Sequence, residues 1–219
     1  MSSTLPGILI LPAEFTVFQR STVALEPVPA WTEAAERNLG ESARHVLSAD
    51  GRFRVIEVPQ LAADRQAELR EHIELFKVIG SQLETVVKPG GKAWEGTRSA
   101  ADYRVGPGLA FLKVHTGAQY AFLLAGAEVR QTGGSVFMQL MLAALVGAYA
   151  PGGGTYMYAG VIDLETGKIT WFGTQMGIQF FGMGAADARQ ANGAEAALTG
   201  LLKSYPRTVG LDLGSGTGR

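Results

Sequence analysis

The chain has 219 residues, with 19 Lys and Arg against 20 Asp and Glu, so its formal charge is -1. Near-neutrality without a basic run argues against a nucleic-acid binder that works by neutralising phosphates, while the length suffices for one domain with a real core. Cysteine is absent, which excludes disulfides, zinc thiolates and thiol nucleophiles from the sequence as it stands.

In chain order, GILIL at 7–11 is a continuous apolar run closed by Pro12 and predicts a strand buried on both faces. A polar, proline-bearing connection ending in EPVP follows. Trp31, Ala35, Leu39, Ala43, Val46 and Leu47 recur at spacings of three and four, which predicts an amphipathic helix ended near Gly51. FRVIEV at 53–58 predicts a second strand. From Leu61 onward, Leu69, Ile73, Phe76, Ile79 and Leu83 share one helical face until Pro89, Gly90 and Gly91 break the pattern. The looser stretch KAWEGTRSAADYRVGPG is expected to cross the surface. Residues 109–115 predict a short helix capped by Gly117 and feeding a long strand at 119–130.

FMQLMLAALVGAY at 137–149 holds thirteen residues without a charge, short of the roughly 20 that a membrane-spanning helix requires. A buried helix, an interfacial segment and two short strands of a hairpin are all open for it. TYMYAGVIDLETGKITWFGTQM predicts a hairpin turned at Glu165, Thr166 and Gly167. There Asp163 can accept hydrogen bonds from turn amides, Gly167 can take positive φ, and Trp171 can return to pack on the helices. AADARQANGAEAALTGLLKSYP, with Ala188, Ala194, Leu198, Leu201 and Leu202, predicts a closing helix ended by Pro206. The fold class that follows is α/β (α+β): a mixed β-sheet flanked by helices, ending in an antiparallel hairpin and a C-terminal helix. Residues 1–206 are expected to form a single domain with an apolar excursion at about 133–154.

Candidate chemistry is sparse. His45, His72 and His115 lie far apart without metal-ligand spacing, and no Gly-x-Ser-x-Gly elbow occurs. The pair Asp163 and Glu165 sits on a turn, too close to the hairpin tip to bracket a substrate. VGLDLGSGTGR at 209–219 looks like the first glycine-rich motif of S-adenosylmethionine-dependent methyltransferases, but that motif works by opening a helix whose amides face the cofactor. No such helix follows here, so 207–219 is expected to be a flexible tail. No catalytic residue, cofactor or metal site is assigned. MSSTLPGILILP has neither a basic n-region nor an apolar stretch of signal length. Two alternatives follow: a cytoplasmic protein, or a mature chain whose leader and lipidated cysteine have been removed.

The residues at 8–12 (ILILP), 116–123 (TGAQYAFL) and 161–171 (VIDLETGKITW) together resemble a group of bacterial periplasmic and outer-membrane lipoproteins that includes CsgG, PelC and proteins with the TolB N-terminal domain fold. The resemblance spans most of 5–206, in short structural motifs. It implies a lipoprotein of the periplasm associated with the outer membrane, a scaffold or accessory in secretion or envelope assembly that is not an enzyme. Its partners would be another protein or copies of itself. In CsgG-like proteins an insertion such as the one at 137–149 can form membrane-crossing hairpins in an oligomeric ring, while in related proteins it closes the core.

The glycines on either side of that excursion can act as hinges. Phe137, Met138, Met141, Leu142, Leu145 and Tyr149 are the candidate interaction residues, through core or subunit packing or through membrane contact. An apolar fraction of 47% against 18% charged residues agrees with some apolar surface meeting a partner. The rival expectations are a cytoplasmic adaptor domain and a fragment of an enzyme that binds a small ligand or S-adenosylmethionine.

Overall fold

The computed structural model describes residues 5–21, 24–87, 103–131, 153–179, 186–203 and 205. The elements in order are β1 (Gly7–Ile10), β2 (Glu14–Arg20), β3 (Leu25–Pro27), α1 (Pro29–Ala49), β4 (Arg54–Ile56), α2 (Ala63–Val87), a 3-10 turn (Pro107–Leu109), α3 (Ala110–Thr116), β5 (Tyr120–Gln131), β6 (Gly153–Asp163), β7 (Ile169–Gln179) and α4 (Ala191–Leu202). Seven strands make one mixed sheet, with helices on both faces, as the sequence predicts.

The apolar run at the start of the chain is buried on both faces because β1 is central. It pairs parallel with β4 on one side and with β5 on the other. Alternation then sorts the side chains between two cores. Ile8, Ile10, Tyr120, Phe122 and Leu124 face α1 and α4, meeting Ala35, Leu39, Leu198 and Leu201. Leu9, Leu11, Ala121 and Leu123 face α2 and α3, meeting Leu69, Ile73, Phe76, Leu83 and Leu112. The helical stripes that predict α1 and α2 are thus largely the stripes that bury, with Trp31, Val46 and Ile79 only partly covered.

β5 is the backbone of the sheet. Along one edge it carries β6 antiparallel from Tyr120 to Val129. Its other edge is shared end to end, by β1 opposite 120–122 and by β2 opposite 125–131. Between those segments Ile10 is opposite Phe122 and Glu14 is opposite Ala125, so residues 11–13 of the first strand stand against only 123–124 of the second. This one-residue surplus is a bulge, and it seats Pro12, which has no N–H to give a ladder. It also shifts the alternation: Ile8 and Ile10 face the α1 side before it, Phe15 and Val17 after it.

The hairpin forms as expected. The Asp163 carboxylate accepts from the N–H groups of Glu165 at 3.0 Å and Thr166 at 2.8 Å, and Gly167 adopts φ 67°. Trp171 is buried in the α1 and α4 core. Gly117 caps α3 at φ 71°, in the left-handed region that favours glycine.

Three expectations need correction. The connection between 12 and 29 contains β2 and β3, and the short alternation of EFTVFQR in β2 is obscured by the flanking prolines. The second strand is three residues, not six, because only Gly7, Ile8 and Leu9 of β1 pair with it, opposite Arg54, Val55 and Ile56. Ala188 belongs to the turn before α4, buried there by the sheet rather than by a helical stripe. The residues at 88–102, most of the apolar excursion and the tail lie outside the described residues.

Candidate functional site

In open α/β sheets, ligands bind beyond the carboxyl ends of the strands, where successive crossovers leave a central strand in opposite directions. β1 is such a strand. The path to β4 runs over the α1 face and the path from β4 to β5 over the α2 face, so the expected crevice lies between the carboxyl ends of β1 and β5. It is occupied by β2, which extends the line of β1 and pairs with β5 through seven register positions.

Helix α1 holds that strand in place. The Val17 N–H donates to Thr32 Oγ1 at 3.0 Å, and the Phe15 N–H to Glu36 Oε1 at 3.4 Å. Those donors point away from β5, so two helical side chains cap an otherwise open edge. Burial pushes the Glu36 carboxyl above its usual range, with the Phe15 N–H opposing.

Two shallow grooves flank the bulge, both touching Pro12 and Val58. The groove against α1 has a cavity volume of about 500 Å³ and carries Glu36, Arg37, Glu41, Arg44 and Glu57. Its charges are mixed in sign, and the Arg44 guanidinium lies 3.7 Å from Glu57. The groove against α2, about 390 Å³, is more apolar, lined by Pro59, Leu61, Leu69 and Ile73. Glu14 on its rim is 3.4 Å from Lys77. Neither holds a histidine.

The histidines are dispersed in space as in sequence. His45 Nδ1 is 3.1 Å from Glu195, joining α1 to α4 at the surface. His72 and His115 each place Nδ1 against a carbonyl one turn back in their own helix. Glu165 pairs with Lys113 at 2.5 Å, while Asp163 is committed to the turn. Among the described residues no group of three or more His, Asp or Glu is placed to share a metal ion, and no helix is long and apolar enough to cross a membrane.

Charge is concentrated elsewhere, at the far end of β5. Glu128 is fully buried and pairs with Arg130. Glu128 Oε2 also accepts from the Ala188 N–H at 3.1 Å and lies 3.1 Å from Thr155 Oγ1. Arg130 donates to the Ala186 carbonyl at 2.6 Å and stands 3.7 Å from Asp187. Arg189 makes a two-pronged bond to Asp187, at 2.8 and 2.7 Å, and lies over the Trp31 ring at 4.4 Å.

The Arg189 guanidinium holds the Asp187 carboxyl below its ordinary value. Its stabilising contribution is therefore present above the ordinary carboxylate pKa and lost as pH falls through the depressed one. The cluster ties the segment before α4 to β5 and α1. Sequence analysis missed it, although a signal existed: Glu128 and Arg130 have the parity of Tyr120, Phe122 and Leu124, which places two charges on an inward face.

The predicted interaction residues Phe137, Met138, Met141, Leu142, Leu145 and Tyr149 lie outside the described residues. What the structure fixes is their place in the topology, in the connection between β5 and β6, the two strands of one antiparallel hairpin.

These features define a class: a mixed α/β domain whose ligand crevice is filled by its own second strand. No protein-family model matches the chain, and no curated protein matches it significantly. Among solved structures, a loose likeness is found to the LpoB C-terminal domain from Salmonella enterica, with 14% identity over 80% of this chain and 84% of that one at a TM-score of 0.33. The LpoB C-terminal domain from Escherichia coli gives 10% identity over 78% and 81%, also at 0.33. A PelC dodecamer from Paraburkholderia phytofirmans gives 12% identity over 90% of this chain and 88% of that one, at 0.35. Similarity at this level carries no argument about role.

Proposed function

We propose that this chain is a docking body of the bacterial cell envelope, a scaffold or accessory in secretion or envelope assembly that acts through protein or membrane contacts and performs no chemistry. The observation that carries the non-catalytic half is the occupation of the β1/β5 crevice by β2. A site that ordinarily receives a cofactor instead receives backbone hydrogen bonds and the side chains of Phe15 and Val17. The envelope assignment rests on the sequence resemblance at 8–12, 116–123 and 161–171. Residues 1–206 act as one unit in this proposal. Phe137, Met138, Met141, Leu142, Leu145 and Tyr149, between two long strands, form the contact surface for a partner, a second copy or the outer membrane.

The test has two arms on the full chain. Melting temperature is followed with S-adenosylmethionine, Mg²⁺ and Zn²⁺, and is expected to stay constant, because a specific ligand of the folded state would raise it. The six excursion residues are then replaced by serine. Sedimentation with envelope membranes is expected to fall while the melt is unchanged. A ligand-dependent rise, or full retention of membrane binding, overturns the respective half.

A further inference from the structure

Each described edge of the sheet but one is closed to further pairing. β3 is three residues long and includes Glu26 and Pro27. β4 is also three residues, with Arg54 exposed. The outer edge of β2 is capped by Thr32 and Glu36, and its Val17 carbonyl accepts from the Val28 N–H at 2.9 Å. Short strands, charges, proline and side-chain caps are the usual means by which a sheet prevents association with another.

β7 has none of these beyond its first residue. At its start, the Ile169 N–H donates to the Tyr103 carbonyl and Arg104 bridges Lys168. From Trp171 to Gly177, β7 pairs with β6 on its inner side, and no described strand pairs with its outer side. ITWFGTQMGIQ contains no charged residue and no proline. Met176 is 57% exposed there, an apolar side chain on an open strand.

We propose that this edge is an interface between two copies of the chain, joined β7 to β7 antiparallel about a two-fold axis near Thr174. The proposal deepens the docking reading above and rests on it, naming a second copy as the occupant. Other described edges offer too few residues to match seven positions, whereas β7 matches itself. The absence of charge means that self-pairing sets no like charges against each other. About Thr174, Phe172 faces Met176 of the other copy, and the exposed thioether gains an aromatic neighbour. The two sheets become one, with α1 and α4 of both copies on the same side.

The experiment is light scattering on the full chain across a concentration series. The parent protein is expected to have the mass of two chains. Met176→Lys and Thr174→Lys each place like charges near the axis and are expected to weaken the dimer by about tenfold or more. Val114→Lys, at a site 83% exposed on α3, should leave it intact. Hydrogen exchange on the parent supplies a readout independent of substitution: protection at 171–177 should rise with concentration.

A single-chain mass at all concentrations overturns the proposal, as does a dimer that survives both lysines. A monomer that still binds membranes removes the β7 interface and leaves the docking body. Stabilisation by a small ligand with the dimer intact removes the non-catalytic reading instead.

Discussion

Glu128 and Arg130 are successive inward-facing residues of β5, two apart in sequence, and they carry opposite charges into the interior. Both are taken from water, and their charges are satisfied by each other and by the turn at 186–188. Removing one partner leaves a buried charge without its mate, which costs about 3 kcal/mol or more. Replacing both by apolar residues of similar size, Glu128→Leu with Arg130→Met, is expected to recover part of that loss. Urea denaturation of the two single variants and the double variant measures the coupling. If the losses of the two single variants sum to that of the double variant, the pair is not acting as a unit. The clue was present in the sequence as charge at inward parity, but the partners lie about sixty residues away, where no local pattern could announce them.

At the scale of elements, contact between strands and helices depends on missing side chains. A methyl group on Gly126 would strike the Tyr156 carbonyl and come within 2.8 Å of the Met157 Cα, both in the paired strand. One on Gly160 would meet the Phe76 ring at 2.7 Å. Backbone in a ladder cannot retreat, whereas a ring at a helix surface can rotate by some degrees. Gly126→Ala is therefore expected to cost about 3 kcal/mol and Gly160→Ala about 1 kcal/mol. Equal losses in chemical denaturation would contradict this account of the packing.

The same scale shows what the sequence made legible. Helices α1 and α2 were readable because their apolar stripes run for many turns, and the β6–β7 hairpin because Asp163 and Gly167 mark its turn. β2 was obscured by prolines on both sides of it. Its place in the β1/β5 crevice depends on β5, which lies over a hundred residues later in the chain.

For the whole molecule, the sheet is built outward from β5, which has neighbours on both edges over nearly its full length. Amides at 120–129 should be the last to exchange with solvent, while β3 and β4, three residues each at the margins, should exchange first. Mass spectrometry or NMR can follow the order. Early exchange in β5 would mean that the core opens elsewhere than the pairing implies. The candidate site divides in the same way. The dispersal of three histidines and the lack of cysteine could be read from composition and spacing, but the pairing of β2 with β5 beyond the end of β1 could be found only with the chain folded.

The surplus residue at Pro12 has a consequence for how this molecule can vary. With one codon fewer at 11–13, β1 and β2 would run alongside β5 as a straight ribbon, and Phe15 and Val17 would keep their present sides. The fold does not demand the extra amino acid. What it supports is the indentation on either side, since Pro12 borders both hollows. Shape at this spot can therefore drift through a change in length without loss of the architecture beneath.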